Sequence, residues 1–215
     1  MKHNLAYYSE VKETLKTGDL ILFHGMSPSS KLNEVFSGSE WSHVGMVIRP
    51  EDIGITSSKK LLLWESNTLV NLDDVELGQP KEGPMLVDLY LRMKTDFSDK
   101  KDDRFHIRYN MCEVTQNMLD KLREFIKAVH MDTFPKTDFD LRKEVFEGIV
   151  LDKCVDNSDY FCSKLIADTY IHMGIITDIY PPNSYEPKDF STAISLPFIK
   201  RGELIDGPSI AISKE

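Results

Sequence analysis

The first half of the chain contains a series of short apolar segments, and this series restricts the fold more than any other feature. The first of them, residues 19–24, is too short and too apolar for a surface helix, and the last alternates apolar and polar residues as a half-buried strand does. Strands are therefore predicted over residues 19–24, 43–49, 60–65, 85–90 and 104–109.

Apolar residues recur at helical spacing in other parts of the chain. Thr115 is placed to cap one of these segments, and Gly174 stands where another is expected to end. Helices are predicted over residues 5–16, 27–38, 116–130 and 162–173. Strands followed by helices indicate an α+β fold in which an antiparallel sheet is packed by helices.

Two regions give weaker patterns. Between residues 132 and 159 the pattern is irregular, with Pro135 and Gly148 as breakers, so a loop or lid is expected there. Near the end of the chain, residues 198–204 and 209–212 are predicted to form two weak strands.

Composition and charge exclude several classes of protein. The chain has 215 residues, 41% of them hydrophobic, which suits a single domain over 1–215 that buries a core. It has 26 basic and 35 acidic residues and a net charge of −9, which argues against nucleic-acid binding. The net charge also disfavours electrostatic docking on anionic membranes, although it is compatible with a local basic patch.

Cysteine usage and apolar runs bear on the compartment. No apolar run is long enough for a membrane span, and residues 1–10 lack the apolar region of a secretory signal. Cys112, Cys154 and Cys162 form no CxxC pair, which argues against a disulfide framework and against a zinc site. We therefore expect a cytoplasmic protein without a metal or cofactor.

Cys162 stands at the predicted start of a helix, a position that can activate a thiol. Unpaired backbone N–H groups and the positive end of the helix dipole favour the thiolate there. The same N–H groups could hold an oxyanion during acyl transfer. The alternative is a small buried core cysteine, since Leu165 and Ile166 share its helix face.

A nucleophilic cysteine needs a base, and the base needs a polar group to orient it. His43 begins one predicted strand and Glu65 ends the next. In antiparallel neighbours the start of one strand lies beside the end of the other, so these side chains are expected to meet. The alternatives are a half-buried structural histidine and a carboxylate at the rim of the sheet.

Several sequence blocks carry a family resemblance. They read TGDLILF from Thr17, SGS from Ser37, WSHVGMV from Trp41, FCSKL from Phe161 and EPKDF from Glu186. Together they resemble the circularly permuted branch of the NlpC-type papain-like superfamily, most closely its YiiX/YebB and poxvirus-related group. The resemblance implies a permuted papain-like fold in which the histidine strand precedes the cysteine helix. It further implies Cys162 as nucleophile, His43 as general base and later acid, and Glu65 as the residue that orients the imidazole.

These observations lead to a functional hypothesis of a cysteine peptidase or amidase. The enzyme would form an acyl-thioester on Cys162 and hydrolyse a small peptide, an amino-acid amide or an acyl lipid. Tyr160, Trp41 and Ser42 are predicted to contact the substrate. Two alternatives remain, a lipid acyltransferase or phospholipase-type enzyme and a non-catalytic module that binds lipid or peptide on the same scaffold.

Three phenylalanines lie in the region expected to form the lid. Phe134, Phe139 and Phe146 could supply an apolar pocket for an acyl chain or a side chain. The alternative is that they pack in the core.

Overall fold

A seven-stranded sheet forms the centre of the protein. The structure, a computed structural model, describes residues 4–24, 40–55, 60–96, 104–155, 159–191, 196–199 and 202–212. Its strands are β1 Leu5–Tyr7, β2 Leu20–His24, β3 His43–Ile48, β4 Leu62–Asn67, β5 Gly83–Asp88, β6 Arg104–Asn110 and β7 Leu204–Ala211. They are ordered β1-β7-β6-β2-β3-β4-β5 across the sheet. The β1–β7 pair is parallel, and the other neighbouring pairs are antiparallel.

Helices pack on both faces of this sheet. They are α1 Tyr8–Val11, α2 Leu89–Asp96, α3 Gln116–Val129, α4 Asp138–Leu151 and α5 Cys162–Met173. Short 3-10 helices span Pro50–Ile53, Pro182–Ser184 and Pro187–Phe190. Within the described ranges, no helix has both the length and the apolar character needed to cross a membrane.

Side-chain alternation along the strands divides the core into two layers. In β2, Leu20 and Leu22 belong to one layer, while Ile21 and Phe23 belong to the other. The first layer is completed by α3 and α5, through residues such as Leu122, Phe125, Leu165, Ile166 and Tyr170. The second is completed by Val11, Leu15, Leu89 and Met93. Because both faces are covered, β3, β4 and β5 are buried along their whole length.

The α+β architecture predicted from the sequence is confirmed. Five predicted strands correspond to β2 through β6, and the predicted helices at 116–130 and 162–173 correspond to α3 and α5. The Thr115 hydroxyl accepts a hydrogen bond from the Met118 N–H, and Gly174 ends α5 with φ = 78°, a left-handed conformation that glycine adopts easily. The helix predicted over 27–38 lies outside the described residues.

Three local expectations are corrected. Residues 5–7 form a strand instead of a helix, and they pair in parallel with β7, so the sheet is mixed and not wholly antiparallel. A single strand over Leu204–Ala211 replaces the two weak strands, while Phe198 forms only an isolated bridge with Ile176. These pairings join residues far apart in the chain, which local patterns do not reveal.

The expectation of irregular structure over 132–159 is also wrong, because α4 occupies the middle of this region. The Thr137 hydroxyl accepts a hydrogen bond from the Asp140 N–H and caps the helix. Gly148 is a packing position here, since an added Cβ would lie 2.6 Å from the backbone of Asn183 and Ser184. The role of this region as a lid stays a prediction.

Candidate active site

The neighbouring strands β3 and β4 bring His43 and Glu65 together. Both residues are completely buried. His43 Nε2 lies 2.6 Å from Glu65 Oε2. Because a carboxylate can only accept, Nε2 carries the proton and donates it to Glu65. This contact follows from the strand order, which places the start of β3 beside the end of β4.

Cys162 is the first residue of α5 and is also completely buried. The preceding residue, Phe161, has extended backbone angles and supplies no side-chain cap to the first-turn N–H groups. The Ser163 hydroxyl donates to the Tyr185 carbonyl at 2.7 Å and fixes this turn. The thiol therefore lies at the positive end of a helix dipole whose first turn has no capping side chain.

Electrostatics link the imidazole to the thiol. Burial by itself lowers the pKa of His43, but the charge of Cys162 and its hydrogen bond, followed by Glu65, raise that pKa to about 9. The Nδ1 atom is buried and has no hydrogen-bond partner of standard geometry. Because Nε2 is bonded to Glu65, Nδ1 is the nitrogen left to face the thiol.

Arg92 completes this row of buried groups, and sequence reasoning missed it. Its Nε donates to Glu65 Oε1 at 2.5 Å, and its Nη1 donates to Asn71 Oδ1 at 2.8 Å. Burial alone raises the pKa of Glu65, but the positive charge of Arg92 and the hydrogen bond from His43 lower it to about 2. The available signal was an arginine within an otherwise apolar turn of α2, since a buried arginine requires an acidic partner.

The three residues predicted to contact substrate each make a different contact within the protein. The Tyr160 hydroxyl donates to Asp168 Oδ2 at 2.8 Å, six residues along α5 from Cys162, so it is engaged away from the thiol. Trp41 is buried and stacks on His106 at 5.5 Å between ring centroids. Ser42 immediately precedes His43, and its hydroxyl donates to the Phe23 carbonyl at 3.2 Å.

The three phenylalanines of the expected lid separate into two groups. Phe134 is buried in a small cluster with Leu141, Val145 and Phe161, which connects α4 to the residue next to Cys162. Phe139 and Phe146 are exposed on the opposite side of α4. The structure therefore brings only Phe134 toward the core.

Other histidines are engaged by carboxylates. His130 lies 2.7 Å from Asp74 Oδ2 and 3.1 Å from Glu76 Oε2, and His106 lies 3.1 Å from Asp206 Oδ1. In the part of the chain that the structure describes, no group of three or more His, Cys, Asp or Glu side chains is placed to hold a metal ion.

The arrangement places a thiol, an imidazole and a carboxylate in series, with an arginine behind the carboxylate. The imidazole can take the thiol proton, and the carboxylate holds the ring in the tautomer that leaves Nδ1 toward sulfur. The first-turn N–H groups of α5 supply donors beside the thiol. These are the groups that covalent acyl chemistry on a cysteine requires.

Comparison with known proteins shows a distant structural likeness. No protein-family model matches the sequence, and no curated protein sequence matches it. Among solved structures, the chain is similar to the metalloprotein yiiX from Escherichia coli O157:H7, described as DUF1105, at 14% sequence identity and a TM-score of 0.47. The match covers 93% of this chain and 98% of the other. A likeness this distant does not assign the chain to a family.

Proposed function

We propose that this protein is a cysteine-dependent hydrolase of the peptidase or amidase type. The observation that carries the proposal is the buried series of side chains in which His43 lies between Glu65 and Cys162. The chain order of these residues agrees with the permuted papain-like arrangement that the sequence motifs resemble. We place this chemistry in the cytoplasm, a compartment that suits a chain whose three cysteines include no CxxC pair.

In the first step, the thiol proton of Cys162 resides on His43 Nδ1, in keeping with the raised pKa of that imidazole, and the Sγ thiolate attacks the carbonyl carbon of an amide or ester. The tetrahedral intermediate carries its negative charge on the former carbonyl oxygen, beside the first-turn N–H groups of α5. As the intermediate collapses, the C–N or C–O bond breaks and His43 returns the proton to the leaving amine or alcohol. An acyl-thioester remains on Cys162.

In the second step, water attacks the thioester and His43 takes a proton from it. The C–S bond breaks, the carboxylic acid leaves, and the Cys162 thiolate is again paired with the protonated His43. Glu65 and Arg92 act through His43, since they hold the ring in position without touching the substrate. The substrates that suit this chemistry are small peptides, amino-acid amides and acyl lipids.

Activity measurements on a substitution test the proposal. The protein is assayed against a panel of acyl esters and aminoacyl amides, and acid-quenched samples are examined by intact-mass and peptide mass spectrometry. We expect turnover and an acyl adduct on the Cys162 peptide, and we expect Cys162→Ala to abolish both with an unchanged circular dichroism spectrum. Cys154→Ala is the matched control, because that thiol is exposed whereas Cys162 is buried, and it should retain full activity.

Two results separate the proposal from its alternatives. Full activity in Cys162→Ala contradicts the mechanism. An adduct on Cys162 that persists until an amine or alcohol acceptor is added shows acyl transfer instead of hydrolysis.

A further inference from the structure

Helix α4 has an unusual surface, because large apolar side chains cover the face that points to solvent. Phe139 is 74% exposed, Phe146 54%, Ile149 52% and Val150 60%. The residues that α4 buries lie on its other side and include Leu141, Val145 and Gly148. The helix is therefore apolar on both faces, although among the described residues only one face packs against the rest of the protein.

The exposed apolar residues form one continuous surface. At 3.6 residues per turn, Phe139, Phe146 and Val150 fall on one line along the helix, and Ile149 flanks it. Two further exposed apolar residues, Ile179 and Tyr180, precede the Pro182–Ser184 segment, but that segment packs at Gly148 on the buried side of α4, so they lie outside this line. A contiguous apolar surface of this kind in a folded protein marks an interaction site.

Basic residues share this face. Lys143 lies on the same helical line as the phenylalanines, and Arg142 flanks it; both are exposed. The acidic residues Asp140 and Glu147 lie about a quarter turn away. Glu147 is also 3.9 Å from Lys153. The face thus combines aromatic, aliphatic and basic side chains, although the whole chain has a net charge of −9.

We propose that the solvent-facing side of α4 docks on an anionic lipid bilayer. We call this side the α4 face and define it by Phe139, Arg142, Lys143, Phe146 and Val150. Exposed aromatic side chains beside Arg142 and Lys143 combine apolar surface with positive charge, and both favour contact with an anionic bilayer. A second copy of the chain is a poorer occupant, because self-association across this face brings the basic residues of both copies together.

The α4 face is close to the candidate active site through direct packing. Leu141 and Val145, on the buried side of α4, pack with Phe161, the residue before Cys162. Lys164 of α5 is paired with Glu144 of α4 at 3.2 Å. Docking through α4 would therefore hold the start of α5 near the membrane surface. The docking surface does not depend on the proposed chemistry, so it is tested in a protein that cannot turn over substrate.

Vesicle binding of the full chain carrying Cys162→Ala tests this inference. The probes are vesicles of phosphatidylcholine alone and vesicles containing about 30% phosphatidylglycerol, measured by co-sedimentation at low and high salt. We expect binding to the anionic vesicles that weakens with salt. Adding Phe139→Ser and Phe146→Ser should lower the partition coefficient by about tenfold or more. Adding Lys143→Glu should lower it several-fold at low salt only.

Matched controls are placed at other exposed positions. Val70→Ser with Met111→Ser removes apolar surface elsewhere, and Lys121→Glu reverses a charge on α3. Each should bind as the parent does, with an unchanged thermal unfolding curve. Absence of binding to anionic vesicles overturns the inference, as does equal binding by the Phe139→Ser/Phe146→Ser protein. A dimer in solution that this double substitution converts to a monomer also overturns it, because a second copy would then cover the face.

Discussion

Arg92, Glu65, His43 and Cys162 form a row of ionisable side chains with almost no contact with water. The charges of Arg92 and Glu65 offset each other, which makes it possible to bury a carboxylate next to the imidazole. Glu65 then holds His43 through Nε2 and directs Nδ1 toward the sulfur. Each charged side chain in the row is balanced by its neighbour. The effect of a substitution on activity or on the free energy of unfolding should therefore depend on which charge loses its partner.

The pH dependence of the proposed reaction should report the state of His43. Its pKa of about 9 means that the imidazolium, which protonates the leaving group, is present below pH 9 and lost above it. We therefore expect kcat/KM for an amide substrate to fall above about pH 9. The stability that His43 contributes is fully present below its unfolded pKa of about 6.5 and is lost as the pH rises through 9.

Glu65→Gln provides the control for this profile. Because Glu65 helps to raise the pKa of His43, removing its charge should move the alkaline fall to lower pH. An alkaline fall at the same pH in both proteins would contradict the assignment to His43.

Arg92→Met should destabilise the protein strongly, because it leaves the buried Glu65 carboxylate without its cationic partner. The expected loss in the free energy of unfolding is about 3–5 kcal/mol, measured by urea denaturation. Arg92→Lys keeps the charge and should cost less. Arg123→Met is the matched control, since Arg123 pairs with Asp120 at a partly exposed site and should contribute at most about 1 kcal/mol. Equal losses for Arg92→Met and Arg123→Met would show that Arg92 does not balance the carboxylate.

At the scale of elements, α5 is fixed at several points along its length. In its second half, Thr169 accepts a hydrogen bond from Trp64 Nε1 at 3.1 Å, and the Tyr170 hydroxyl donates to the Gly18 carbonyl at 2.6 Å. Near its start, Lys164 Nζ is paired with Glu144 of α4 and donates to the Asp159 carbonyl at 2.7 Å. The position of Cys162 is therefore set by both the sheet and α4.

The Lys164–Glu144 pair joins α4 to α5, and a double-mutant cycle tests it. Lys164→Met removes the cation that lies 3.2 Å from the buried Glu144 carboxylate and should cost about 3–5 kcal/mol of unfolding free energy. Adding Glu144→Leu should recover much of this loss, because the second charge is then also removed. Additive losses in the double variant, measured by urea unfolding, would contradict a direct interaction.

At the scale of the whole molecule, local patterns predicted the elements but not all of their partners. Strands β2–β6 and helices α3 and α5 could be predicted, because packing against the two core layers requires apolar side chains at strand or helix spacing. The approach of His43 to Glu65 followed from strand order. Arg92 was missed because its partner lies 27 residues away in the chain and no local pattern links the two.

Two further differences have the same origin in tertiary structure. The pairing of β1 with β7 joins the two ends of the chain, so residues 5–7 extend although their composition favours a helix. Helix α4 was not predicted because its own apolar side chains lie on both of its faces. The sequence therefore lacks the one-sided pattern that identifies a surface helix. The apolar side chains on the exposed side of this helix are the ones from which membrane docking of the α4 face is inferred.

The most direct test of the central claim compares two cysteines within one protein. Cys162 is buried and Cys154 is exposed, so accessibility alone would make Cys154 the faster to react with iodoacetamide. Activation by His43 should reverse this order. The native protein is alkylated at pH 7 for increasing times, and each cysteine is quantified by peptide mass spectrometry, alongside the His43→Gln variant.

We predict that Cys162 is alkylated faster than Cys154. His43→Gln should lower the alkylation rate of Cys162 at least tenfold and leave that of Cys154 unchanged, because only Cys162 loses an activated thiolate. Modification of Cys154 while Cys162 stays unreacted in the native protein would contradict the claim that Cys162 is an activated nucleophile.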